Sequence, residues 1–275
     1  MDKAESIASL MADPSPVQLT QTRFRLALVD GWGLNPGARV LEVGCGQGDM
    51  TAALADTVGP GGHVLGVDIA SPGCGAPVTL GESAVRLAAT ALGERIEFRF
   101  ECDVLDPATS FPGDVFDNVV LSQCSWYFSS LGQLRQTLAR VRPWARRLCF
   151  AEWDLTARNP GQLPHLLAVL IQGQVEAGGS RGEGNVRTPF SRQALLELLA
   201  ETGWQIDGQR TVDTSGLQDA DWEIDACQEL LADAARLAAL PPALADLVAS
   251  QGDLLRQIAR DYGNVPLPCY SVTAH

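Results

Sequence analysis

Arg39–Asp49 reads RVLEVGCGQGD, and its residue types are those of a turn that holds a ligand. Glycines fall at 44, 46 and 48, with the small Cys45 between the first two and Glu42 two positions ahead. Glycine at this density lets a backbone take left-handed turns and come close to a ligand. A dinucleotide site asks for G-x-G-x-x-G, whose third glycine lets the following helix pack on the strand. Here the pattern is G-x-G-x-G, one residue short, and no lysine follows it as a P-loop would require. A carboxylate at Glu42 is a poor neighbour for a pyrophosphate and a good one for a ligand with a cationic end. The plain alternative is an acid at the end of a surface strand.

Further candidates come later in the chain. In FDNVVLSQCSWYF (116–128), Trp126 and Tyr127 either wall a flat or apolar substrate or pack the next helix. In AEWDL (151–155), Trp153 sits between Glu152 and Asp154; one carboxylate is placed to reach a substrate, while one serves only to pair with an arginine of a covering loop. Of three histidines, His63 opens a strand at the remote end and His275 is terminal, so His165 in NPGQLPHLLAVLIQ is the candidate general base. A packed or surface histidine is its bland reading. Arg187 lies in the glycine-rich stretch 178–190, either as partner for a substrate carboxylate or as a solvated loop arginine.

These residues need a scaffold, and the patterning supplies one. Strand-like runs at Val40–Val43, His63–Asp68, Ile96–Glu101, Phe116–Leu121 and Arg147–Trp153 alternate with helix-like Thr51–Val58, Gly81–Leu92 and Leu131–Val141. Such alternation predicts an α/β fold: a doubly wound, mostly parallel seven-stranded sheet covered on both faces. An N-terminal helix over Pro16–Leu34 precedes it, with Leu19, Phe24, Leu26 and Leu28 as anchors. Helices follow at Leu163–Ala177, Arg192–Thr202, Trp222–Leu240 and Ala243–Tyr262, with a sixth strand at Gln205–Thr211 and a last one in LPCYSVTAH. The expected division is a helical cap at 1–36, a ligand-binding core at 37–158, a substrate and lid region at 159–215, a helical insertion at 216–263 and the final strand at 264–275. The insertion is expected to be a lid or a homodimer surface.

Composition narrows the chemistry. The 275 residues are 46% hydrophobic and 19% charged, as in globular proteins, with net charge −13. That charge speaks against a nucleic-acid substrate. The single lysine, Lys3, in an expected frayed terminus, rules out an internal Schiff base and so pyridoxal-phosphate chemistry. Seven scattered cysteines without a CxxC pair suit reduced thiols in the cytoplasm better than disulfides or zinc. No signal pattern and no 18-residue apolar run is written, so no membrane partner is expected.

S-adenosylmethionine (SAM), with a sulfonium, an α-ammonium and no phosphate, fits a glycine turn led by Glu42. At this point LEVGCGQGD resembles the first motif of the class I SAM-dependent methyltransferases, and the resemblance extends over Arg39–Trp153. It implies SAM as cofactor, S-adenosylhomocysteine as product, and contacts from Glu42, Gly44, Cys45, Gly46 and Gly48. It places Asp68 and Ile69 at the ribose, Asp103 (or the nearby Asp106) with Val104 at the adenine, and Ser122 and Gln123 beside the methyl donor. SQCSWY brings no carboxylates where magnesium-dependent catechol enzymes hold their metal, so no metal is expected. The loop IASPGCGAPVTLGES is longer than the family's, which leaves any adenine-stacking residue open. The implied activity is methylation of a small organic acceptor at O, N or C, as in ubiquinone and secondary-metabolite methyltransferases. His165 and Asp154 are the catalytic candidates, and Trp126, Tyr127, Trp153 and Arg187 the substrate-binding ones. A cyclisation or other non-methyl reaction on the same fold, a non-catalytic SAM-binding subunit and, remotely, an NAD reductase are the alternatives.

Overall fold

A computed structural model describes residues 2–182 and 184–275. Two helices lead in, α1 (Lys3–Ala8) and α2 (Pro16–Trp32). The expected frayed start is instead a capped helix: the Asp2 side chain accepts from the Glu5 N–H, the Glu5 side chain answers, and Lys3 pairs with Asp56 at 2.9 Å. Ser15 caps α2 and Gly33 ends it in the left-handed conformation.

The core then alternates as β1 (Arg39–Val43), α3 (Asp49–Val58), β2 (His63–Val67), α4 (Leu80–Ala88), β3 (Ile96–Arg99), β4 (Phe116–Ser122), α5 (Leu131–Val141) and β5 (Ala145–Trp153). Later elements are α6 (Leu163–Ala177), α7 (Arg192–Glu201), β6 (Ile206–Val212), α8 (Asp219–Ala232), α9 (Ala234–Ala238), α10 (Pro242–Tyr262) and β7 (Cys269–Ala274). The seven strands form one sheet in the order β3-β2-β1-β4-β5-β7-β6. β1 to β5 run parallel, and β7 lies antiparallel to both β5 and β6. The strand order reverses between β1 and β4, which opens a crevice at their carboxyl ends, the place where such sheets bind ligands. Packing is close beneath it: Ala52, Ala53, Leu54 and Ala55 of α3 and Val40 and Leu41 of β1 are all fully buried.

Beyond β5 a second apolar cluster forms, with Ala168, Ile171 and Val175 of α6 against Ile224 and Cys227 of α8 and Val248 and Leu255 of α10. This cover draws on both sides of the boundary expected at 215/216, because α6 packs on α8 and α10. The helix expected over Trp222–Leu240 is two. Asp233 leaves helical geometry and its side chain accepts from the Ala235 and Arg236 N–H groups, starting α9 afresh. Among the described residues no helix is long and apolar enough to cross a membrane.

Candidate active site

The glycine turn closes between β1 and α3. Gly48 has φ +86°, and a Cβ there would lie 2.7 Å from Leu87 and 2.9 Å from Phe98, so only glycine lets α4 and β3 pack this closely. Gly46, at φ +51°, has no atom within 4 Å of where a Cβ would be, which leaves open space over the turn. Asp68 holds the turn: one carboxylate oxygen accepts from the Gly46 N–H and the other from the Ala70 N–H, both at 2.9 Å. Both of its oxygens are thus engaged by backbone N–H groups of the turn and the loop after β2. Ile69 beside it is exposed. Asp103 makes an Asx turn, accepting from the Leu105 N–H at 2.8 Å, with Val104 buried next to it. Glu42 is neither a surface acid nor open to a ligand. It is 2% exposed, accepts from Thr51 Oγ1 at 2.5 Å, and burial pushes its carboxyl up to about 8.

At the end of β4, Gln123 adopts φ +51° and donates its N–H to the Ala151 carbonyl, while Cys124 donates to the Val43 carbonyl. Ser122 Oγ is buried with no hydrogen-bond partner among the described residues. A single 3-10 turn, Ser125–Tyr127, follows and is held by Glu152. One Glu152 oxygen accepts from Ser125 Oγ (2.6 Å) and the Ser125 N–H (3.1 Å); the other accepts from the Trp153 N–H (3.0 Å). Glu152 is 1% exposed, and burial pushes its carboxyl up to about 7. It thereby fixes the turn that carries Trp126 and Tyr127.

Gln123, Trp126, Tyr127, Glu152 and Trp153 line one wall of a cleft of about 810 Å³. Gln18, Gln21 and Arg25 of α2 and Asp219, Trp222 and Glu223 of α8 line it too, so the expected insertion contributes to the cleft. Ala76, Pro77 and Val78 of the long loop after Asp68 also reach this cleft, with the Val78 carbonyl accepting from the Gln47 amide. None of the α2 and α8 residues was among the sequence candidates. Their one signal is polar residues at helical spacing, at 18, 21 and 25 and at 219 and 223, with the aromatic Trp222 beside the last.

Three candidates are corrected. His165 is fully buried beside Trp153, and its Nδ1 accepts from the Leu267 N–H at 3.0 Å; burial lowers its pKa to about 3, so it braces α6 against the run into β7 and does not face the cleft. Asp154 is paired with Arg192 of α7, which makes it the carboxylate that ties an arginine and leaves Glu152 as the one at the cleft. Arg187 is exposed outside the cleft lining, and its backbone N–H donates to the Trp126 carbonyl. Glu183 of the same loop lies outside the described residues. Among the described residues no three His, Cys, Asp or Glu side chains are grouped to hold a metal.

A family model for the methyltransferase domain matches residues 34–75, the stretch that contains the glycine turn. Methyltransferase phomM' of Diaporthe leptostromiformis is 30% identical over 212 residues, 62% of this chain and 54% of the relative. Nocamycin O-methyltransferase of Saccharothrix syringae is 40% identical over 119 residues, 43% of this chain and 38% of the relative. The chain thus spans about half the length, or less, of these curated relatives. A solved structure, a cyclopropane-fatty-acyl-phospholipid synthase-like protein from Lactobacillus casei ATCC 334, is 33% identical. The match covers 99% of this chain and 98% of that one, with a TM-score of 0.89. The chain belongs to the class I SAM-dependent methyltransferases. SAM is the cofactor, and the strand ends of this methyltransferase suit it. The space over Gly46 is open, the hydroxyl of Ser122 has no partner among the described residues, and the acidic side chains at the strand ends beside the turn are Asp68 and Asp103, with Glu42 buried beneath it and no lysine to favour a phosphate.

Proposed function

We propose that this methyltransferase transfers a methyl group from SAM to a small organic acceptor, releasing S-adenosylhomocysteine, without a metal. The observation that carries the reading is the single cleft in which the end of β4, the aromatic turn after it and helix α8 meet. When bound, SAM supplies a methyl carbon already activated by its sulfonium. The chain's own task is to aim a nucleophile and keep water out. Asp68 and the glycine turn are assigned to the adenosyl ligand, together with Ser122, Gln123 and Asp103. Trp126, Tyr127 and Trp153 are assigned to the acceptor, and Glu152 to holding their turn. His165, Asp154 and Arg187 are not given chemical roles.

The net charge of −13 supports a small molecule over a nucleic acid, and seven free cysteines support a reducing cytoplasmic setting. A role in secondary metabolism and a homodimer through the outer face of α10 belong to the same proposal. Exposed Leu247 and Leu254 lie on that helix, seven residues apart.

Calorimetric titration with S-adenosylhomocysteine tests the cofactor half. Wild-type protein is expected to bind, and Asp68→Ala to bind about tenfold or more weakly, since a charge-assisted hydrogen bond is lost. Circular dichroism of the variant checks that the turn still folds. Release of S-adenosylhomocysteine from SAM, on incubation with a panel of phenol, amine and carbanion acceptors, tests the activity. Binding without turnover on any acceptor would return the chain to the non-catalytic or cyclising alternatives.

A further inference from the structure

The cleft holds its negative charge in a specific way. Three of its carboxylates are bound by glutamine amides: Asp49 by Gln18 at 2.7 Å, Asp219 by Gln21 at 2.8 Å and Glu223 by Gln172 at 2.9 Å. An amide satisfies a carboxylate's lone pairs and leaves its charge uncancelled. Arg25 is the one cationic side chain among the described lining residues, and its Nη1 donates to Gln21. Burial raises both Asp219 and Glu223 above the usual carboxylate range, with Asp219 adding to the effect on Glu223. An arriving cation relieves that strain, and an arriving anion increases it.

The rings agree with the charges. Tyr127 and Trp222 are 48% and 51% exposed and both line the cleft, so much of each ring is uncovered next to Glu223. Aromatic faces beside carboxylates are the chemistry that recognises alkylammonium groups. Trp126 lines the same cleft, and its indole Nε1 is buried with no partner among the described residues. We propose that the substrate taken by this cleft is recognised through a cationic amine, held between Tyr127 and Trp222 and by the charge of Glu223, while a separate uncharged nucleophile of the same molecule accepts the methyl group, because an ammonium has no lone pair to offer. This inference rests on the methyl-transfer reading and names its substrate class.

A matched pair of probes tests it. Choline and its neutral carbon isostere 3,3-dimethylbutan-1-ol are titrated into the protein saturated with S-adenosylhomocysteine, with tryptophan fluorescence as the signal. Choline is expected to bind about tenfold or more tightly than the isostere. Glu223→Gln and Trp222→Leu are each expected to cut that preference to about threefold or less, with S-adenosylhomocysteine affinity unchanged. Asp225→Asn, on the exposed side of α8, is the control and keeps the full preference. Equal binding of the two probes overturns the amine proposal and leaves methyl transfer standing. A preference untouched by Glu223→Gln overturns it too, as does a variant that loses S-adenosylhomocysteine in place of choline, for then the acids serve the cofactor. Failure of S-adenosylhomocysteine to bind at all sinks the methyl-transfer reading and the acceptor role with it, and a choline preference lost in Glu223→Gln would then report cation binding by the cleft without methyl transfer.

Discussion

At the scale of single residues, burial moves Glu42 and His165 in opposite directions, and each leaves its own mark on stability. The Glu42 carboxyl, pushed up to about 8, keeps its proton in the folded state where the unfolded chain has lost it. Its contribution is full below the usual carboxylate range and is lost as pH rises toward 8. Glu42→Gln keeps an acceptor for Thr51 and removes the titration. Unfolding free energies from urea titration are expected to be higher for the variant than for wild type by an amount that grows from about pH 5 to about pH 8, reaching on the order of 4 kcal/mol. His165 runs the other way: with its folded pKa lowered to about 3, its contribution is full above about 6.5 and is lost as pH falls toward 3. His165→Gln is expected to flatten that acid limb and to leave kcat within about threefold, because the ring does not reach the cleft. A loss of kcat of about a hundredfold or more with an unchanged acid limb would restore His165 as a base. The histidine's place in the chain, just past β5, suggested the site; which way its helix face turned could not be read from that place.

At the scale of elements, what was legible followed adjacency. The glycine turn, Gln123 and Trp153 sit at the ends of strands whose apolar runs are visible in the sequence, so the fold brought them to the crevice without further information. The cleft's other half comes from α2 and α8, joined by Gln21 and Asp219, which stand 198 residues apart. Nothing local to either helix says that these two side chains meet. The same distance explains why the boundary at 215/216 divided a packing unit, since the apolar face of α6 says only that it is covered, not by what. The Gln21–Asp219 contact is the strap between α8 and the N-terminal helix α2. Gln21→Ala leaves a largely buried carboxylate without its donor and is expected to cost about 1–3 kcal/mol locally. Amide exchange of α8 should accelerate by about tenfold or more while the α3 amides, on the buried core, stay as protected as in wild type. Equal acceleration in α3 would mean that α8 and the core open as one unit.

At the scale of the whole molecule, the charge of −13 gives the binding of SAM and of its product different dependence on salt. SAM carries one net positive charge through its sulfonium, whereas S-adenosylhomocysteine is neutral overall. Two fields act on that difference. The carboxylates at the turn and cleft are close to the ligand and partly out of water, where salt screens little. The remaining surface acids act across the solvent, where the screening length shrinks from about 20 Å to about 6 Å between roughly 0.02 M and 0.3 M salt. If the distributed charge draws the donor in, SAM affinity should fall about three- to tenfold over that range while S-adenosylhomocysteine affinity shifts less than about twofold. Stopped-flow traces should place the loss mainly in the association rate, because long-range steering acts before contact. Parallel titrations of both ligands at several salt concentrations measure the difference directly. Equal salt dependence for the two would assign the discrimination to the near carboxylates alone, with the acidic surface keeping the protein dispersed and playing no part in choosing its ligand.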